Sequence, residues 1–148
     1  MRLGRRIAID VGSKRIGVAS SDEHGILASP VATVSSLAEC LQFIDTSVLE
    51  IYVGLPVNLQ GVATESTATA IKFAREIAAS TQSETRLIDE RLTTSLANNQ
   101  LREIGKTQRQ SRQTIDQMAA VAILEYALQI ERASGRIPGV AIGEYGND

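Results

Sequence analysis

The chain has little of what several classes of enzyme require. Its 148 residues include one cysteine and one histidine, so an intrachain disulfide is impossible and zinc clusters and Ser/His/Asp or Cys/His triads lack the necessary parts. Three tyrosines, two phenylalanines and no tryptophan leave little scope for stacking on nucleic-acid bases. No apolar run approaches membrane thickness or follows the basic N-terminus at signal length. We therefore expect a cytoplasmic protein with no membrane partner.

Composition fits one ordinary globular domain. Hydrophobic residues make up 43% of the chain, which is enough to bury a sizeable core. A formal charge of -2 provides no overall positive field, so a nucleic-acid partner would need a local basic patch. We expect one domain over residues 1–134 and a flexible, glycine-rich tail over residues 135–148. The sequence indicates no oligomeric state.

Hydrophobic periodicity predicts the element order βββαβαβαα. Two hairpin connections demand antiparallel pairing, whereas strands separated by helices demand parallel crossovers. The economical fold is α/β, with a mixed five-stranded sheet, three antiparallel strands followed by parallel ones, covered by helices on both faces. Strands are predicted at residues 5–11, 15–20, 26–34, 50–56 and 85–89, and helices at 36–46, 64–79, 95–105 and about 113–132.

Asp10 is the last residue but one of the predicted strand RRIAIDV and follows its apolar residues Ile7, Ala8 and Ile9. A central strand tolerates no unpaired carboxylate in its interior, so Asp10 must lie near the open end or be neutralised. A structural alternative exists, because an Asp that ends a strand often accepts hydrogen bonds from the following turn. The GSKR segment after Asp10 favours a functional role.

Two adjacent acids, Asp89 and Glu90, lie at the end of the predicted strand TRLID. Strand alternation places them on opposite sides, so only one can point into a shared site. Asp89 can instead cap the next helix, and Arg91 can pair with either acid. A surface charge cluster explains the same residues equally well.

Asp116 lies beside the apolar stripe of the last helix, because Ala119, Ala120 and Ile123 follow it at three, four and seven positions. An acid in the first turn also gains about 0.3–1 kcal/mol from the helix dipole. The dipole explains the position of Asp116 but not its inward direction.

Three inward carboxylates from distant segments suit two-metal phosphoryl chemistry. Oxygen ligands favour hard Mg²⁺ or Mn²⁺. Cations that can line a phosphate groove are Lys14, Arg15, Arg91, Lys106, Arg109 and Arg112; the last three fall in a predicted polar loop, which a solvated loop would also explain. The glycine- and proline-containing turn GLPVNLQG can also bring backbone amides toward phosphate, although an ordinary strand-to-helix connection explains it as well.

Four motifs, in this order, resemble the YqgF family of Holliday-junction-resolvase-like proteins and pre-16S rRNA nucleases, which have an RNase H-like fold. They are IAIDVGSKRIGVASSD, YVGLPVNLQG, IDERLTT and IDQMAAVAIL, and the likeness spans roughly residues 5–132.

The resemblance implies a metal-dependent endonuclease in which Asp10, Glu90 and Asp116 are the catalytic and metal-binding acids. Asp89 is the weaker claimant for the second position. Arg91, Lys106, Arg109 and Arg112 match basic positions suited to the nucleic-acid backbone. Three acids align, where resolvases of this superfold often have four. The implied substrate is structured precursor rRNA first and branched DNA second.

Two other functions are compatible with the sequence. The segment DVGSKRIG also resembles the phosphate loop of actin-like ATPases, but those proteins clamp nucleotide between two such domains and this chain is long enough for one. The chain can alternatively be an RNA-binding ribosome assembly factor whose acids bind metal but turn over weakly.

Overall fold

The computed structural model describes residues 1–93 and 109–145, with side chains from Thr114 onward in the second range. The strands are β1 (Arg5–Val11), β2 (Ile16–Ser21), β3 (Ala28–Val34), β4 (Val48–Leu55), β5 (Glu84–Asp89) and β6 (Val140–Ala141). They form one sheet in the order β3-β2-β1-β4-β5-β6. Strands β1, β2 and β3 pair antiparallel, whereas β1, β4 and β5 pair parallel. The predicted mixed sheet is confirmed, with six strands instead of five.

Three helices accompany this sheet in the described residues: α1 (Leu37–Leu41), α2 (Glu65–Ser80) and α3 (Arg109–Ser134). The first two begin at side-chain caps, where Ser36 accepts a hydrogen bond from the Glu39 amide and Thr64 accepts one from the Thr67 amide. Helix α1 ends at Leu41, short of the predicted end at residue 46. A short 3₁₀ turn, Glu90–Leu92, follows β5.

Helix α3 begins earlier than its apolar stripe indicated. It starts at Arg109, so Arg109 and Arg112 belong to the helix and not to the polar loop predicted before it. Glutamine and arginine are good helix formers, and no glycine or proline interrupts residues 106–113, but these residues carry no apolar period that would reveal the helix. The helix predicted at residues 95–105 lies outside the described residues.

Helices cover both faces of the sheet, as predicted. Ile7 and Ile9 pack with residues of α1 and α2 on one face. Between them along β1, Ala8 packs on the other face with Tyr52 and the buried residues of α3. The period-two alternation of a strand therefore divides the core into two layers and gives β1 one face turned toward α3.

The C-terminal segment differs from the flexible tail predicted from residue 135. Strand β6 pairs antiparallel with β5, and Arg86 donates to the carbonyls of Pro138 at 2.5 Å and Gly139 at 2.7 Å. Ile142 is buried against the core. An unpaired edge of β5 would expose a row of backbone hydrogen-bonding groups, which β6 covers in part. A two-residue strand is too short to produce a hydrophobic alternation.

A buried ion cluster joins the start of β1 to the C-terminal half of α3. Arg2 donates to Glu50 at 2.8 Å and to Glu131 at 2.7 Å, and Arg6 donates to Glu131 at 3.0 Å. The Tyr52 hydroxyl donates to Glu50 at 2.7 Å. Arg6, Glu50 and Glu131 are each at most 3% exposed, so the ion pairs and hydrogen bonds of this cluster replace lost hydration. The cluster ties α3 to the sheet at the end opposite Asp10.

Candidate active site

The candidate site lies at the end of β1, on the face of the sheet that α3 covers. Asp10 is the last residue but one of β1 and shares its face with Ala8. Across the hairpin it pairs with Gly17 of β2. The structure therefore places Asp10 near the open end of its strand, as the sequence predicted.

Glu90 meets Asp10 from the neighbouring strand end. It begins the 3₁₀ turn after β5, one residue beyond the strand, and the alternation that carries Ile88 into the α3-side core directs Glu90 to the same face. The side chains of Asp10 and Glu90 are hydrogen-bonded to each other. Two carboxyl groups can share such a bond only when one of them holds a proton.

The proton of this pair resides on Glu90. Burial, the hydrogen bond and charge of Asp10, and the charge of Asp89 together raise the pKa of Glu90 to about 8. Burial also raises the pKa of Asp10, which the Asp116 charge reinforces and the hydrogen bond from Glu90 offsets. Two acids that repel each other and are poorly hydrated form a place where a proton or a cation collects.

Asp116 reaches the same region from α3. A Cβ built on Gly17 would overlap the backbone carbonyl of Asp116, so the missing side chain lets the helix approach β2 beside Asp10. The Asp116 carboxylate accepts a hydrogen bond from Arg15 Nε at 2.8 Å. Gln117, the next residue, donates to the Thr33 hydroxyl at 3.1 Å and ties this turn of α3 to β3. Asp116 is thus held close enough for its charge to act on Asp10 while being paired with Arg15.

Asp89 has a separate role. Its carboxylate accepts from the Arg91 amide at 2.9 Å, which caps the 3₁₀ turn. It also accepts from Arg91 Nε at 3.0 Å and from Nη2 at 2.6 Å. The hydrogen bond and charge of Arg91 lower the pKa of Asp89. Of the two adjacent acids, the structure brings Glu90 to Asp10 and commits Asp89 to Arg91.

The donor set fits a divalent cation at the Asp10–Glu90 pair. Both side chains offer carboxylate oxygens, the ligands that Mg²⁺ and Mn²⁺ prefer, and a cation can replace the proton that the pair now holds. Within residues 1–93 and 109–145, however, no three His, Cys, Asp or Glu side chains form a group arranged to hold a metal ion. Asp116 Oδ2 accepts the hydrogen bond from Arg15, so Arg15 and a cation would compete for the Asp116 carboxylate.

The basic residues predicted to line a phosphate groove lie in several environments. Lys14 is exposed in the β1–β2 turn beside Arg15. Arg91 is 40% exposed and its guanidinium lies against Gly61. Lys106 lies outside the described residues. Arg109 and Arg112 are on the first turns of α3, where the structure describes the backbone only.

The turn after β4 does not present its amides as a phosphate cradle. The amides of residues 58 and 61 bond to Val62 and Asn58 carbonyls, at 3.1 and 2.8 Å. Those of Gln60 and Val62 donate to Asn58 Oδ1 at 3.0 and 2.9 Å. These four donors are consumed within the turn, so the sequence prediction of amides directed at phosphate is wrong for them.

Sequence reasoning missed two glycines that shape the site. Gly17 admits the backbone of α3 at Asp116, and Gly54, near the end of β4, leaves space for the Glu90 side chain. A glycine inside a strand weakens the strand and often marks a close approach of another group. That signal was present in both RIGVAS and EIYVGLP.

The mixed sheet with helices on both faces is an RNase H-like fold. The solved structure titled "T. thermophilus RuvC in complex with Holliday junction substrate" resembles the chain with a TM-score of 0.58, covering 93% of this chain and 99% of that one. At 12% identity the likeness concerns the fold.

Residues 4–130 match the family described as "RuvX: Holliday junction resolvase", and the chain belongs to this family. Curated relatives named "Putative pre-16S rRNA nuclease" agree with that assignment. The protein from Clavibacter sepedonicus is 45% identical, covering 96% of this chain and 93% of its own length. The Streptomyces coelicolor protein is 43% identical, covering 96% and 90%. The family and these names place the chain among nucleases.

Among the residues that the structure describes, no helix combines the length and the apolar character needed to cross a bilayer.

Proposed function

We propose that this protein is a metal-dependent endonuclease that hydrolyses phosphodiester bonds of structured precursor rRNA in the cytoplasm, in 5′-end processing of pre-16S rRNA. The observation that carries the proposal is the hydrogen bond between the Asp10 and Glu90 side chains. The charge of Asp116 acts on Asp10 of this pair. Carboxyl groups whose pKa values are raised by burial and by a neighbouring acid are typical of catalytic sites.

Asp10 and Glu90 would hold Mg²⁺ or Mn²⁺ through their carboxylate oxygens, with Asp116 as a third ligand. Bound there, the cations supply an activated water and charge stabilisation at the phosphorus and the leaving oxygen, in the two-metal manner. The fold of the chain places these acids next to one another. Gly17 and Gly54 let the acids come together, and the Asp89–Arg91 pair fixes the turn that carries Glu90.

The reaction is a hydrolysis. The oxygen of water forms a bond to phosphorus, the bond from phosphorus to one bridging oxygen breaks, and that oxygen leaves with a proton. With a cation bound, Glu90 would be a carboxylate ligand, and the proton on the leaving oxygen would come from the attacking water. Lys14, Arg15 and Arg91, joined by Lys106, Arg109 and Arg112, would orient the backbone by its phosphates and shape, since five aromatic side chains offer little base stacking.

Precursor rRNA is the first substrate because relatives at 43–46% identity are named as nucleases of pre-16S rRNA. Branched DNA is the second candidate, and the family description favours it. The same acids and cations would serve either backbone, so the chemistry of the site does not separate them.

A direct comparison tests the proposal. The purified protein is incubated with a precursor 16S transcript and, separately, with a four-way DNA junction, each with Mn²⁺ and with chelator. We expect Mn²⁺-dependent cleavage of the RNA at a rate well above that of the junction. The reverse preference would support the resolvase, and tight RNA binding without cleavage of either substrate would indicate an assembly factor.

A further inference from the structure

The ion pair between Arg15 and Asp116 joins the β1–β2 turn to α3 across the candidate site. The Gly12 amide donates to the Arg15 carbonyl at 2.8 Å and closes the turn. From there Arg15 Nε donates to Asp116 Oδ2 at 2.8 Å. The Arg15 side chain is 41% exposed and that of Asp116 is 15% exposed. The acid is therefore largely enclosed, while its partner extends into solvent.

This pair is built differently from the Asp89–Arg91 pair nearby. Arg91 binds Asp89 through Nε and Nη2 and also through its backbone amide, which holds both residues in one arrangement. Arg15 makes a single hydrogen bond to Asp116, and in the part of the chain that the structure describes its guanidinium makes no other hydrogen bond or ion pair. A guanidinium has five N–H donors and recognises phosphate best through two of them. Arg15 therefore retains donors for a second partner.

Asp116 is placed where a divalent cation at Asp10 and Glu90 would attract it. Its charge already acts on Asp10. Arg15 is permanently charged, so it can release Asp116 only by moving away and not by losing a proton. The guanidinium thus competes with any cation for the third carboxylate.

We propose that Arg15 is an exchangeable counter-ion: it holds Asp116 in the cation-free protein and passes to a backbone phosphate of the substrate when a divalent cation takes its place at Asp116. The inference rests on the proposed nuclease function and adds a coupling between cation binding and nucleic-acid binding. Divalent cation and nucleic acid then strengthen each other's binding by the same factor, because each releases a group that the other uses. Arg15 is in this sense a positioning residue for both.

A double-mutant cycle on cation binding tests the exchange without any nuclease assay. Calorimetry measures Mn²⁺ affinity of the wild type, Arg15→Gln, Asp116→Asn and the double variant, in the absence of nucleic acid. We expect Arg15→Gln to bind Mn²⁺ about two- to fivefold more tightly, the change that corresponds to losing one partly exposed ion pair. In the Asp116→Asn background the same substitution should have no effect.

General repulsion between Arg15 and a cation would give a different pattern. It would make Arg15→Gln equally effective with and without the Asp116 carboxylate, and this result overturns the proposal. Lys14→Gln is the matched control, because it removes one charge from the same turn and Lys14 is exposed. We expect it to change Mn²⁺ affinity by less than twofold.

Binding of a hydrolysis-resistant phosphorothioate RNA gives the second readout. With Mn²⁺ present, the salt dependence of wild-type affinity should be steeper than that of Arg15→Gln by about one phosphate contact, and without Mn²⁺ the two slopes should agree. If the salt dependence of RNA affinity is the same for wild type and Arg15→Gln both with and without Mn²⁺, the proposed exchange of Arg15 is wrong. This holds even if Mn²⁺-dependent cleavage of precursor rRNA supports the nuclease function. Failure of the wild type to bind Mn²⁺ overturns both, and loss of cleavage alone touches only the nuclease.

Discussion

Gly54 lies directly against the carboxyl group of Glu90. A Cβ built on Gly54 would fall 2.5 Å from Glu90 Oε1 and 2.7 Å from Ile123 Cδ1. The first neighbour is the candidate catalytic acid and the second is a buried side chain of α3. One glycine on β4 therefore sets both where Glu90 sits and how closely α3 packs.

Gly54→Ala should move Glu90 away from Asp10. We expect a loss of Mn²⁺-dependent cleavage of at least about tenfold, and a loss of unfolding free energy of about 1–3 kcal/mol from overpacking. Denaturant unfolding and single-turnover cleavage measure the two effects. Gly143→Ala is the control, because a Cβ there meets nothing within 4 Å, and it should leave both quantities unchanged.

The raised pKa of Glu90 makes stability depend on pH. A carboxyl group with an ordinary pKa near 4.5 when unfolded and about 8 when folded stabilises the protein fully below pH 4.5 and loses that contribution as the pH rises to 8. The cation-free wild type should therefore lose unfolding free energy over this window, by at most about 1.4 kcal/mol per pH unit.

Glu90→Gln removes this titration. We expect the variant to be more stable than the wild type at pH 8 and the difference to shrink as the pH falls toward 5. Denaturant unfolding at several pH values in chelator measures it. A wild type whose stability rises across pH 5–8 relative to Glu90→Gln would show that the buried pair does not hold its proton.

Glu131 should behave in the opposite way. Burial disfavours its charge, but hydrogen bonds from Arg2 and the charges of Arg6 and Arg2 lower its pKa to about 2. Its contribution is present above pH 4.5 and is lost as the pH falls toward 2. Glu131→Gln should cost about 3–5 kcal/mol at pH 7, because two arginines lose their buried partner. Glu125→Gln, at an exposed position of the same helix, should cost less than about 0.5 kcal/mol in the same unfolding measurement.

The two adjacent acids should separate by function. Asp89→Asn keeps a residue that caps the 3₁₀ turn well, so cleavage should fall by less than about tenfold. Glu90→Gln removes the carboxylate that meets Asp10 and should reduce cleavage by at least about a hundredfold. Rate constants under saturating Mn²⁺ compare the variants. The reverse order would assign the second acid to Asp89.

Local periodicity was sufficient to predict most of the fold. Alternation along RRIAIDV and the helical stripe that includes Ala122 and Ile123 reflect burial against one neighbour, which a short segment records. No local sequence pattern predicts the ion cluster, because Arg2, Glu50 and Glu131 are far apart in sequence and each resembles an ordinary surface charge. Strand β6 escaped prediction for a related reason, since only the edge of β5 gives its two residues a partner.

The candidate site was predictable in its members but not in its arrangement. Asp10 and Asp116 stand out because each is an acid in an apolar context. Alternation showed that Asp89 and Glu90 point in opposite directions, but it did not show which face of β5 lies under α3. The pairing of Asp116 with Arg15 depends on how α3 docks at Gly17, and no local pattern contains that information.

Cleavage of a precursor 16S transcript by acid variants tests whether the three carboxylates act together in one catalytic site. Asp10→Asn, Glu90→Gln and Asp116→Asn are compared with wild type and with Asp45→Asn, an exposed acid paired with Arg5, after unfolding measurements show that all are folded. The account predicts that each of the first three loses Mn²⁺-dependent cleavage by at least about a hundredfold, while Asp45→Asn cleaves like the wild type. Cleavage at the wild-type rate by Asp10→Asn and Asp116→Asn would contradict it.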